Sequence, residues 1–137
     1  FQSYTSRLGL IMKSIPKDTS DFSSITTIVQ NYFDGLHHGD VDKLSAQFHP
    51  DAWLKAPGAR RSLNQWLTDV SSRPVPAVLN KPFAFEILSI DVVQDQAMVK
   101  VKCPLFEFNY VDFLGFLKEQ GQWRIVTKMY TDIEAKQ

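Results

Sequence analysis

The spacing of apolar residues changes period once along this chain, near Pro82, and that change constrains the fold more than any other feature. Upstream, Ile25, Ile28, Val29, Tyr32, Phe33 and Leu36 recur at i, i+3 and i+4, the stripe of an amphipathic helix. Thr19-Ser20-Asp21 offers N-cap residues for it, and the pattern ends near His37-His38-Gly39. Asp40 then caps a shorter helix carrying Val41, Leu44 and Phe48, which His49-Pro50-Asp51 stops. Ala52 to Ala56 reads as a short strand, broken by Pro57-Gly58. Ser62 caps a third helix with Leu63, Trp66, Leu67 and Val70 on one face. The stretch Ser71 to Pro82 is proline-rich and predicts a loop.

Downstream the period is that of a strand. Phe83 to Val93 is strand-like and Gln94-Asp95 turns. Ala97, Val99, Val101, Cys103 and Leu105 alternate with Lys100 and Lys102 in a half-buried strand. Phe108 to Lys118 is apolar on both faces, and Gln122 to Ile133 completes a four-strand antiparallel meander. Helices followed by strands predict an α+β fold with the helices on one face of the sheet. A strand apolar on both faces needs cover on both, so the second face predicts a homodimer.

Composition narrows the function. The 137 residues suit one domain, and 15 basic against 15 acidic residues leave no cationic excess for nucleic acid or an acidic membrane surface. The single cysteine, Cys103, excludes an intrachain disulfide and a cysteine-based zinc site; no metal and no cofactor is expected. No apolar run approaches the roughly 20 residues of a membrane span, and no secretory signal is evident, so the expected compartment is the cytoplasm. Phe1-Gln2-Ser3 resembles the end of a protease site used in expression tags. Residues 1–11 therefore read as a non-native leader, with Met12 as the native start and 12–137 as one domain. The excess is aromatic, with Phe 10, Trp 3 and Tyr 4, enough rings to fill a core, line a pocket or build an interface.

The hairpin at Glu119-Gln120-Gly121 sets which rings face which way. A three-residue loop, with Gly121 at the position needing positive φ, pairs Lys118 with Gln122 and places Asp112 opposite Lys128. Their face then carries Tyr110, Leu114, Phe116, Arg124, Val126 and Tyr130, with Phe113 and Met129 on the other. A two-residue loop would put Asp112 opposite Met129 instead. An Asp and a Lys on an apolar surface pair with one another, either as a structural ion pair or as the polar anchor of a pocket.

Val29-Gln30-Asn31-Tyr32, His38-Gly39-Asp40-Val41-Asp42-Lys43-Leu44 and Phe48-His49-Pro50-Asp51-Ala52 resemble the nuclear transport factor 2-like superfamily. Tyr110-Val111-Asp112-Phe113-Leu114, followed by Lys118, Gly121, Trp123, Ile125 and Lys128, resembles its bacterial branch labelled "putative lumazine-binding". The resemblance covers about residues 20 to 133. It implies a cone, in which a curved antiparallel sheet wraps a pocket that three N-terminal helices close. It also invites comparison with the ketosteroid isomerases of this superfamily, in which a helix-one Tyr and a late-strand Asp form an oxyanion hole and a strand-one Asp moves the proton. By resemblance Tyr32 and Asp112 stand at the first two positions. The base position falls on Ala56, which cannot accept a proton, and its neighbour Lys55 points to the other face.

The expected function is therefore small-molecule binding inside the cone. Tyr32, Asp112 and Lys128 are its anchors, and Phe33, Leu54, Phe108, Tyr110, Val126 and Tyr130 its walls. Acid–base catalysis of isomerase, dehydratase or cyclase type is the alternative, with Asp112 and His49 as the candidate bases. A protein-interaction module using the open sheet face is the third. The remaining candidates have plainer readings. Neighbouring helical residues diverge by about 100°, so His37-His38 does not chelate. Asp40 and Asp51 cap and turn, and Trp66 and Trp123 pack. Trp53 is core or pocket wall, Arg60-Arg61 is a solvated loop or an anion contact at the mouth, and Cys103 is a small buried hydrophobe.

Overall fold

The computed structural model describes the backbone of residues 6–134 and the side chains of residues 21–134. The elements run α1 (Ser6–His38), α2 (Val41–Gln47), β1 (Phe48–Ala56), β2 (Ala59–Ser62), α3 (Leu63–Ser72), β3 (Glu86–Val93), β4 (Gln96–Leu105), β5 (Phe108–Glu119) and β6 (Gln122–Asp132). The strands form one six-stranded sheet in the order β2-β1-β6-β5-β4-β3. It is curved and unclosed, with the helices over one face.

Local signals account for most boundaries. Asp40 caps α2 by accepting from the Lys43 amide, and Ser62 caps α3 in a reciprocal capping box with Gln65. Leu63, Trp66, Leu67 and Val70 are buried on α3 as their spacing requires. On β4 the alternating Ala97, Val99, Val101, Cys103 and Leu105 are buried.

Four expectations are corrected. Helix α1 runs straight through Thr19-Ser20-Asp21, so these residues do not cap it. The Asp21 carboxylate instead meets Lys118 Nζ at 2.8 Å and accepts from Trp123 Nε1 at 3.1 Å, tying the helix to the β5–β6 hairpin. Phe48 ends the helical stretch and opens β1, which is longer than Ala52–Ala56 because it pairs with β6. That pairing is parallel, the one departure from an antiparallel sheet, and its register shifts between Phe48 and Trp53, where Pro50 needs no partner for a missing N–H. Pro57-Gly58 is the tip of a hairpin rather than a simple break, because Ala59–Ser62 pairs back on β1 as β2. The reading of residues 1–11 as a leader falls partly on residues 1–5, outside the described residues.

The fourth correction is the β5–β6 register. The loop has two residues: Glu119 pairs with Gln122, and both Gln120 (φ 53°) and Gly121 (φ 77°) are left-handed, the requirement of a type I′ turn. Carried along unchanged, that register would set Asp112 opposite Met129. It shifts by one between Gly115 and Phe116, because Phe116 pairs with Ile125 while Gly115 pairs with Thr127. Val126 is the extra residue of a β-bulge. Beyond it Asp112 faces Tyr130 and Leu114 faces Lys128. Gly115 makes the bulge possible, since a Cβ there would stand 2.7 Å from Thr127 Cγ2. The bulge returns Lys128 and Tyr130 to the face of Asp112. Phe113 and Met129 lie on the outer face, 36% and 45% exposed, and Trp53, at 45%, joins them rather than core or pocket.

Candidate functional site

Under the helices, the inner face of the sheet borders a cavity of about 120 Å³. Trp66 of α3 and Leu36 of α1 roof it. Cys103, Tyr110, Asp112, Lys128 and Tyr130 come up from the sheet, Arg61 enters from β2, and Arg73 follows α3. Arg73, Leu105 and Tyr110 are shared with an open groove of about 330 Å³, whose other walls are Pro74, Phe106 and Phe108.

The polar centre is Asp112, 2% exposed. Its Oδ2 accepts a hydrogen bond of 2.7 Å from Tyr32 Oη and lies 3.8 Å from Lys128 Nζ. The Asp–Lys pair is thus present, but as diagonal neighbours. The Lys128 ammonium also sits 4.5, 5.3 and 5.8 Å from the ring centroids of Trp66, Tyr32 and Tyr130, a cation against three π faces. Burial pulls Lys128 below the ordinary lysine value, with the Asp112 carboxylate acting against it. Burial and the Asp112 charge both push the Tyr32 phenol well up, so its proton stays in place as a donor. The same two causes raise the Cys103 thiol, which is therefore a thiol and not a nucleophilic thiolate.

Arg61 is held by Asp69 at 2.9 Å and donates to Tyr130 Oη at 3.2 Å. Burial lowers the Arg73 guanidinium from its ordinary value, and the Arg61 charge adds to this. Arg73 Nη2 is buried with no hydrogen-bond partner among the described residues, and the guanidinium lies 5.7 Å from the Phe106 ring. Three cations and one carboxylate thus line the cavity. Such a site can orient a polar ligand and hold charge. Among the described residues that line it, Asp112 is the one carboxylate.

The expected residues divide. Tyr110, Asp112, Lys128 and Tyr130 line the cavity, Tyr32 reaches it through Asp112, and Phe108 walls the outer groove, stacked 5.4 Å from Tyr110. Phe33 and Leu54 are core at 1% and 0% exposure and do not line it; Phe33 stacks on Phe85 at 5.3 Å. Val126, spent in the bulge, is not a wall either. His49 meets Asp51 at 2.6 Å in the irregular part of β1, off the cavity, so it has no access to a substrate there. Ala56 alternates inward with Ala52 and Leu54, as the resemblance required of the base position, and carries no base. His37 packs against the Phe83 ring at 5.2 Å, and no group of residues among those described could hold a metal ion.

Arg73, Trp66 and Cys103 also line the cavity, beyond the expected site residues. Arg73 carries no sequence signal, being one cation in a proline-rich loop. Arg60-Arg61 is settled by strand alternation. Arg61 turns to the cavity, while exposed Arg60 donates to the Ala56 and Ala59 carbonyls at 3.0 and 2.9 Å.

Comparison with known proteins agrees with this architecture. The family described as "Putative lumazine-binding" matches residues 20–131. A nuclear transport factor 2-like protein of unknown function from Shewanella baltica OS155 superposes with a TM-score of 0.74 at 18% identity, covering 85% of this chain and 97% of that one. A similar protein from Silicibacter pomeroyi DSS-3 gives 0.69 at 24% identity, covering 84% and 98%. One described as a putative dehydratase, from Streptomyces avermitilis, gives 0.61 at 14% identity, covering 86% and 99%. No curated protein matches the chain. No helix among the described residues is long and apolar enough to cross a membrane. The match over residues 20–131 makes this chain a member of the putative lumazine-binding family, and the superpositions give it the nuclear transport factor 2-like fold.

Proposed function

We propose that the protein binds a small molecule in the cavity beside Asp112 and Lys128. The observation that carries this reading is a buried carboxylate, bonded to Tyr32 and paired with Lys128, set in the wall of a ring-lined cavity. A few convergent polar groups in an apolar surround is how small-molecule sites are built, and the family description supports a small-molecule ligand. On this reading the protein is a cytoplasmic bacterial homodimer, joined through the outer sheet face where Trp53, Met98, Phe113 and Met129 are exposed.

A ligand-observed NMR screen with a mixed library of acidic, basic and neutral fragments tests the cavity. Fragments should bind the wild type and lose binding in Asp112→Asn/Lys128→Met, with circular dichroism confirming that the variant folds. A library that yields no binder, or binders indifferent to the double variant, refutes the reading.

Acid–base catalysis is the second reading, favoured by the 2.7 Å Tyr32–Asp112 bond and by the dehydratase described among the structural relatives. Ala56 and the remote His49 weigh against it, and turnover with a pH–rate profile would establish it. A chain that stays monomeric on a sizing column would shift the outer face towards binding a different protein.

A further inference from the structure

We propose that the ligand is an organic monoanion, its carboxylate seated on Arg73 with Arg61 beside it and its flat apolar body lying in the groove along Phe106, Phe108 and Tyr110. This rests on the cavity being a small-molecule site. The charges come first. Of the three cations around the cavity, Lys128 has Asp112 and Arg61 has Asp69, whereas Arg73 forms no ion pair among the described residues. With two cations compensated, one positive charge is left for the ligand to meet. A carboxylate meets it, and a phosphate dianion overshoots.

The second observation is the buried Nη2 of Arg73, a donor without an acceptor among the described residues. Buried donors on a charged group are costly to leave unpaired. The Arg73 backbone N–H closes α3 on Val70, and its guanidinium packs on Phe106, so both have protein roles. Neither role uses Nη2. A planar guanidinium fork presents parallel donors that match a carboxylate.

The third is position. Arg73 lies at the junction of the two spaces and lines both. The inner one, about 120 Å³, is the smaller and the more polar of the two, so it suits the head group. The outer one, about 330 Å³, offers the stacked rings of Phe108 and Tyr110 to a flat body. The Asp112 carboxylate disfavours a second anionic group deeper in.

Isothermal titration calorimetry at low salt decides, with 3-phenylpropanoate, its alcohol, its amine and phenyl phosphate as probes. The carboxylate should bind about ten- to hundredfold more tightly than the alcohol or the amine, and more tightly than phenyl phosphate. Arg73→Gln should erase the preference for the carboxylate over the alcohol, while Arg60→Gln on the exposed side changes nothing. Equal binding of carboxylate and alcohol, tighter binding of phenyl phosphate, or full carboxylate affinity in Arg73→Gln overturns the assignment. The wild-type comparison needs no variant, so a misfolded Arg73→Gln leaves the test intact. If the cavity takes fragments in the mixed screen without preferring acids, only the anion assignment falls; if nothing binds, the cavity reading falls with it.

Discussion

Removing one oxygen tests whether Asp112 is an organising charge or a bystander. Tyr32→Phe deletes the donor of the 2.7 Å bond to Asp112 Oδ2 and keeps the ring, whose neighbours Phe33, Phe48 and Trp66 stay at centroid distances of 6.2, 6.0 and 6.4 Å. The carboxylate then retains Lys128 at 3.8 Å, too long for a good hydrogen bond, in a site only 2% exposed. Hydrogen bonds to charged groups contribute about 1.5–3 kcal/mol. Burial places Tyr32→Phe near the middle of that range, about 2 kcal/mol. Urea unfolding followed by tryptophan fluorescence at fixed protein concentration should show a lower midpoint with an unchanged slope. Tyr130→Phe is the control, since its half-buried hydroxyl serves Arg61 at 3.2 Å; it should cost under about 1 kcal/mol. A double-mutant cycle of Tyr32→Phe with Asp112→Asn should return a coupling of at least about 1 kcal/mol. A loss for Tyr32→Phe below about 0.5 kcal/mol, or strict additivity in the cycle, refutes the reasoning.

Three further outcomes follow from the same structure. Cys103 and Tyr32 are both raised in the fold from ordinary values of 9.0 and 10.0, so the folded chain keeps protons that the unfolded chain sheds. Their stabilisation is complete below those values and fades as pH rises through and beyond them. Lys128, lowered in the fold, acts oppositely. The urea midpoint should therefore fall above about pH 9, later in Cys103→Ala and more steeply in Lys128→Met. Gly115→Ala should destabilise by about 1–3 kcal/mol, because its Cβ would stand 2.7 Å from Thr127 Cγ2; Thr127→Ser, which removes that methyl, should recover most of the loss in the same unfolding assay. Phe113→Lys/Met129→Lys should convert the proposed homodimer to a folded monomer by analytical ultracentrifugation, and an unchanged mass would exclude the outer face as the dimer contact.

What was legible in the sequence was what short-range chemistry determines. The caps at Asp40 and Ser62 and the alternation of β4 each depend on residues within one turn or one strand. Non-local pairing was not legible. Nothing near Phe48 signals that β1 will lie parallel to β6, and nothing near Val126 signals a bulge, because both arise only when distant strands meet. The Asp112–Lys128 pair was reached by a loop length that does not occur and a direct opposition that does not exist. The pair forms because the bulge at Val126 returns Lys128 to the face of Asp112. Arg73 was invisible for another reason: a loop residue's surroundings are assembled entirely from other parts of the chain.

The bulge at Val126 acts as a reading-frame correction. It lets the hairpin close on a tight two-residue tip while the far half of β6 stays in phase with the cavity. Pairing Val126 into the ladder opposite Gly115, with no bulge, would carry the hairpin's frame onward and exchange the two sides of the strand beyond it. Met129 would then turn towards Asp112 and Lys128 towards the outer surface. In this chain the chemistry of the cavity and the character of the outer face are thus two outputs of a single bulge, and neither can be reframed without rewriting the other.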